Sequence, residues 1–179
     1  MGGKWLELLS EIAPGLKRAA IMFNPETNPV SYTPSFEMAA RSLKVAPTAA
    51  LVHNDVEIET AIIALGREPG GGLVVMPDSF ANVHRVPIIL AAAGNHVPAI
   101  YWQSVFARDG GLLSYGVDVV DIYRRAATYV DRILRGAKSA ELPVQLPTNF
   151  EMAVNLRTAK ALGLTVAPSI LLRADEVIE

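Results

Sequence analysis

"GGLLSYGVDVVDIYRRAATYVDRILRG", residues 110–136, changes its hydrophobic period in the middle. Leu112 to Gly116 is a short, nearly unbroken apolar run and reads as a strand. Beyond Asp118, Val119, Ile122, Tyr123, Ala126, Ala127, Val130, Ile133 and Leu134 recur at helical spacing. They form one apolar stripe, with Arg124, Arg125, Thr128, Asp131, Arg132 and Arg135 on the other face. Gly136 is placed to end this helix. A buried strand feeding directly into a helix is the repeating unit of an α/β fold.

The same unit recurs upstream. "RAAIMFNP" (18–25), "TAALVH" (48–53), "GGGLVVMPDS" (70–79) and "VPAIYW" (97–102) read as strands. Trp5, Leu8, Leu9 and Ile12 share one helical face, and Ala13-Pro14-Gly15 stops that helix. Further helices are expected over 35–45, 55–68 and 81–96, the last with Pro87 near its first turns or kinking it. A polar loop with Asn28, Pro29 and Pro34 precedes the second helix, and 104–111 reads as a short helix and turn. The strands are continuous apolar runs rather than alternating ones, which indicates burial on both sides. The expected fold class is therefore α/β, a mostly parallel sheet flanked by helices on both faces.

After Gly136 the character changes. "AKSAELPVQLPTN" reads as a linker, "FEMAVN" (150–155) as a sixth strand, 156–164 as a helix ended by Gly163, and 167–179 as a last helix. The chain divides into an α/β lobe at 1–142 and a C-terminal segment at 143–179.

Composition narrows the function. Hydrophobic residues make up 51% of 179, enough for a sizeable core. The net charge is -2 with both signs well mixed, so neither nucleic acid nor a membrane surface is indicated as a partner. With no cysteine, disulfides and thiolate chemistry are excluded. No run approaches the roughly 18 apolar residues that span a bilayer. "MGGKWLELLSEI" is not a signal peptide, and Met1-Gly2 is either a genuine start or an appended one. The chain opens abruptly inside an amphipathic helix, which leaves truncation open.

In open α/β sheets, ligands bind outside the carboxyl ends of the strands. That rim holds Asn24-Pro25, His53-Asn54-Asp55, Pro77-Asp78-Ser79, Tyr101-Trp102-Gln103 and Tyr115-Gly116-Val117-Asp118. Acids there can take an ammonium, amides can hydrogen-bond, and aromatic rings can form a flat apolar wall. Each group also has a plain structural reading. Asn24-Pro25 is an ordinary turn pair, Asp55, Asp78 and Asp118 are natural N-caps, and Tyr101 and Trp102 suit a core. His84 and His96 read as isolated and solvated.

Enzyme signals are absent. "GREPGGGL" has no P-loop lysine, and its glycines precede a strand instead of following one. There is no nucleophile elbow and no His pair at metal-ligand spacing. Asp78-Ser79 with His84 lacks an orienting group and an oxyanion site. No metal or cofactor is expected.

"GKWLELLSEIAPGLKRAAIMFNP", "VVMPDS", "VPAIY" and the long run from Gly110 to Ile178 resemble the ABC-transporter substrate-binding protein family of the TrpX-like type. The resemblance covers nearly the whole chain from Gly3, and 110–164 is its most specific part. It implies one lobe of a type I periplasmic-binding fold, the second lobe, with 143–179 as a C-terminal crossover packing near the hinge or the other lobe. It implies a small solute, a membrane permease as partner, and a periplasmic or extracytoplasmic location. Ligand contacts carry over by motif to Asn24, Asp78, Ser79, Tyr101, Tyr115, Gly116 and Asp118. If the solute is an amino acid, Asp78 or Asp118 is the candidate for its ammonium. A lobe without its counterpart is expected to dimerise or to exchange its C-terminal segment, through apolar surface at the hinge and along 144–179. A ligand-sensing regulatory domain of the same fold and a flavodoxin-like enzyme are the alternatives.

Overall fold

Seven strands form one sheet in the order β2-β1-β3-β4-β5-β6-β7. The structure is a computed structural model that describes residues 1–28 and 32–179, so Pro29 of the expected loop lies outside the described residues. The strands are β1 (Arg18–Phe23), β2 (Ala46–Leu51), β3 (Gly71–Val75), β4 (Ala99–Tyr101), β5 (Leu113–Val117), β6 (Phe150–Asn155) and β7 (Glu176–Ile178). β1 to β5 pair in parallel. β6 runs antiparallel to β5, and β7 is parallel to β6.

The helices are α1 (Gly2–Ile12), α2 (Thr33–Leu43), α3 (Asp55–Gly66), α4 (Ser79–Val83), α5 (Arg85–Gly94), α6 (Ser104–Arg108), α7 (Val119–Leu134), α8 (Leu156–Ala161) and α9 (Pro168–Leu171). Because successive strand residues face opposite ways, the central strands β1, β3 and β4 feed two cores. Ile21, Val74, Ile100, Leu113 and Val154 pack with Trp5, Leu9 and Phe36 on one face. Met22, Leu73, Val75 and Ala99 pack with Ile58, Ile62, Ile88 and Phe106 on the other. Each such buried aliphatic or aromatic side chain contributes about 1.5–3 kcal/mol. The mostly parallel sheet with helices on both faces matches the sequence reading.

Four local expectations are corrected. β2 begins at Ala46 and is an edge strand, mostly exposed rather than covered on both faces. The helix expected over 81–96 is two, α4 and α5, broken at His84, with Pro87 in the first turn of α5. The last helix is only the single turn α9, and Glu176–Ile178 is instead a seventh strand. The cap of α3 is Asn54, whose side chain accepts the Glu57 N–H at 3.0 Å, and Asp55 is already helical.

The C-terminal residues are tied into this same sheet. Asn155 donates to the Ala107 carbonyl at 3.0 Å, and Thr158 donates to that of Gly110 at 2.8 Å. Arg173 grips both oxygens of Glu11 on α1, and Ser169 donates to the same carboxylate. Those hydrogen bonds from Arg173 and Ser169 hold the Glu11 carboxyl below its ordinary pKa.

Helix α7 is the exception to the packing. None of its residues is buried, and its stripe stays open, with Tyr123 74% and Leu134 82% exposed. The chain then returns through a 3-10 turn at Ser139–Glu141 and an extended strap. Tyr129 donates to the Pro143 carbonyl and Arg125 to Thr148, both at 2.6 Å, so strap and helix hold each other. Between them runs an apolar groove of about 390 Å³ lined by Ile122, Ala126, Tyr129, Ile133, Leu142 and Leu146. The arm leaves and re-enters the sheet at one point, where the Asp118 N–H donates to the Asn149 carbonyl at 3.1 Å.

Candidate functional site

The rim at the carboxyl ends of β1 to β5 gathers the loops singled out in the sequence. Its central contact is a close backbone approach. A β-carbon on Gly116 would lie 1.7 Å from the Trp102 carbonyl oxygen, so β4 and β5 can meet here only with glycine at this position. Tyr115-Gly116-Val117-Asp118 is thus the end of a strand fitted against its neighbour. Asp118 then caps α7, its side chain accepting the Asp121 N–H at 3.0 Å.

Asp78 is almost fully buried, and its carboxylate is occupied. It accepts from the Asn24 N–H at 2.8 Å, the Thr27 hydroxyl at 2.6 Å and the Phe80 N–H at 3.0 Å. Asn24 is buried beside it, its side-chain oxygen accepting from the Glu26 N–H at 2.8 Å. Asn28 donates to the Pro77 carbonyl. The two loops after β1 and β3 are therefore locked to each other, and Ser79, next to the buried Asp78, is exposed.

Tyr101 lies inside the protein at 1% exposure, stacked on Phe106 with centroids 4.9 Å apart. Burial pushes its phenol pKa upward. Its ring belongs to the core of the α3–α5 face. Tyr115 is half-buried on the opposite face, against the α1 core, and Trp102 also packs there. The Trp5 indole donates to the Tyr115 carbonyl at 2.6 Å, and Tyr32 meets Trp5 edge-on at 5.2 Å.

Three rim residues were not read from the sequence as site residues. Phe150 stacks against Tyr115 at 5.8 Å and 14°. Glu151 accepts the Ser104 hydroxyl at 2.7 Å. Tyr32 stands at the start of α2. The start of β6 reaches the rim only because that strand runs antiparallel, which a six-residue apolar run does not disclose. His84 is not isolated: it pairs with Asp55 at 2.5 Å and stacks on Phe80 at 4.1 Å.

Among the described residues no cluster of His, Asp and Glu could hold a metal, and no helix is long and apolar enough to cross a membrane. The rim therefore offers hydrogen bonds, carboxylates and aromatic faces.

The profile of the family described as ABC transporter substrate binding protein matches residues 3–178. The chain belongs to that family. A curated relative, named a tyrosine-binding protein of Clostridioides difficile (strain R20291), is 23% identical over 163 residues, covering 90% of this chain and 47% of the relative. Two solved structures share the fold of this chain. A conserved domain protein from Vibrio cholerae has a TM-score of 0.87 at 24% identity over 98% of this chain. The ABC domain in complex with L-Trp from Streptococcus pneumoniae has 0.88 at 20% identity over 99%. The chain spans 60% of each of those two proteins.

Proposed function

We propose that this chain is one lobe of a two-lobe solute-binding protein and that its carboxyl-end rim is one jaw of the cleft. The solute is a small molecule, an amino acid, held without turnover and handed to a membrane permease outside the cytoplasm. One observation carries this reading: the arm 119–148 starts and ends at the rim, shows an apolar stripe, and buries nothing against its own lobe. A helix with such a face needs a partner. The family membership and the relatives' greater length support the other lobe as that partner. The tyrosine-binding relative and the L-Trp complex support an amino acid as solute.

Within the jaw, Ser79, Tyr115 and Asp118 face the solute. Asn24 and Asp78 shape the loop that presents Ser79, Gly116 sets the strand end, and Tyr101 supports the rim from inside. Isothermal titration of the complete protein against the amino acids tests the reading. Saturable one-to-one binding with the solute recovered unchanged is the expected result; conversion of the solute, or no binding across the set, overturns it.

The arm gives a second check. Ile133 is 45% exposed in this lobe. Ile133→Ala should shift the stability of the 179-residue chain by no more than about 0.5 kcal/mol, as surface changes do. In the complete protein the same change should cost about 2 kcal/mol or more, because three buried side-chain carbons are then lost. Equal small losses in both settings would remove the arm from the interface.

A further inference from the structure

We propose that β2 is a docking edge for a second copy of this chain, the two β2 strands pairing antiparallel so that both seven-stranded sheets run on into one. Among the described residues β2 pairs with β1 alone and has no strand on its other side. The ladder fixes which of its backbone groups stay open. The Ala46 N–H donates to the Lys17 carbonyl at 2.8 Å, and the Val52 N–H to that of Phe23 at 3.1 Å. Strand residues alternate in the edge they serve, so Ala46, Thr48, Ala50 and Val52 turn their backbone groups toward β1. Pro47, Ala49 and Leu51 turn theirs outward. Both ends of this outward row are closed. The Val45 N–H donates to the Ala40 carbonyl at 2.9 Å, and the His53 N–H to the Glu57 carboxylate at 2.8 Å. Pro47 has no N–H to offer. The N–H groups of Ala49 and Leu51 are therefore the open donors of this edge among the described residues, beside the outward carbonyls of Pro47, Ala49 and Leu51.

Proteins usually guard such an edge with charges, bulges or prolines. β2 carries no charged side chain, its register against β1 is unbroken, and Pro47 is its guard. Ala46, Pro47, Thr48, Ala49 and Leu51 are all exposed, Leu51 at 52%. Paired about Ala49, two copies exchange hydrogen bonds between their Ala49 residues in both directions. Each Leu51 N–H then meets the Pro47 carbonyl of the second copy. Both open donors are filled, and Leu51 lies over Pro47 across the seam. Charge sets the orientation and names the occupant. Lys17, Arg41 and Lys44 stand exposed where β2 begins, and Asp55 and Glu57 where it ends. Antiparallel pairing lays the basic end of each copy beside the acidic end of the other, whereas parallel pairing sets like against like. An edge complementary to itself under a two-fold axis fits a second copy of the same chain. β2 lies at the opposite end of the sheet from β6 and β7, away from the arm that leaves after β5. Both copies therefore keep rim and arm free, and the dimer does not depend on the cleft reading.

The test is sedimentation velocity of the complete protein at low salt, from about 10 to 500 µM, since so small an interface gives weak, micromolar association. A monomer–dimer equilibrium is the expected result. Ala49→Pro removes an outward donor and no bond to β1, so it should raise the dimer Kd about tenfold or more. Lys44→Glu should raise it about threefold or more, with the loss shrinking as salt is added. Val83→Lys, at a residue 79% exposed on α4, is the control and should stay within about twofold. A monomer across the whole range overturns the proposal. So does a dimer that tolerates Ala49→Pro, which would place association on another surface. Should Ala49→Pro fail to fold, amide hydrogen exchange of the unsubstituted protein decides. Exchange at Ala49 and Leu51 that slows as concentration rises supports the edge pairing. Fast exchange at every concentration overturns it, and so does equal protection at every concentration, which would mean that the protein's own chain covers the edge.

Discussion

Gly116→Ala should leave the chain largely unfolded under conditions where the unsubstituted chain is folded. The added carbon would sit 1.7 Å from the Trp102 carbonyl oxygen and 2.8 Å from its carbonyl carbon. Both atoms are backbone, one residue beyond the Ile100–Tyr101 pairing with Leu113–Ser114, so neither can swing aside as a side chain would. Relief requires parting β4 from β5 in the middle of the sheet. Losses above 4 kcal/mol are rare among point changes and come from this kind of core conflict. A cost of that order removes much of the 5–15 kcal/mol that holds a domain folded. Gly94→Ala is the matched control, since a β-carbon there meets nothing within 4 Å. It should change stability by less than about 1 kcal/mol, and stabilisation is the expected sign at the end of a helix. Urea unfolding followed by tryptophan fluorescence reads both. A Gly116→Ala chain within 1 kcal/mol of the parent would mean that the strands do not approach as described.

The same contrast marks what could be read from the residues alone. The apolar runs at β1, β3, β4 and β5 were legible because parallel strands are covered on both faces and need no alternation. β2 carries similar residues but lies at the edge, and composition does not tell an edge from a centre. β7 was missed because its three residues follow a helix-like "PSILL", too short a run to show a period of two. The break at His84 was hidden by continuous helical spacing, and only the pairing with Asp55 and stacking on Phe80 show what the break positions. At the rim, loop positions followed from strand ends, so Asn24, Asp78, Ser79 and Asp118 were found together. Their availability was not legible. Whether a carboxylate is free depends on which donors the fold turns toward it, and Asp78 meets donors that lie 51 and 54 positions away. Phe150 and Glu151 were invisible as rim residues for a related reason: strand direction is a property of pairing.

Asp78→Ala should cost the chain about 3–5 kcal/mol, more than any change at the exposed rim. The carboxylate gathers donors from the β1 loop, Asn24 and Thr27, and from the first turn of α4, Phe80. A hydrogen bond to a charged group contributes about 1.5–3 kcal/mol, and a buried donor left without a partner costs about 1–3 kcal/mol. These contributions overlap, so their sum is an upper bound. Asp78→Asn should cost less, about 1–2 kcal/mol: the amide keeps one acceptor oxygen, and the Thr27 hydroxyl can turn to accept from the new NH₂. Ser79→Ala, one residue further and exposed, should stay within about 0.5 kcal/mol. The series separates two roles that the sequence left open. An acid that directly holds a solute's ammonium loses binding in the Asn form far out of proportion to stability, because the charge is the interaction. An acid that ties two loops together loses stability first and binding only as the loop drifts. Thermal melts paired with solute titrations of Asp78→Asn and Asp118→Asn therefore assign the roles. Asp78→Asn should move the melt and spare most of the affinity, and Asp118→Asn should do the reverse, with the opposite pattern returning the ammonium to Asp78.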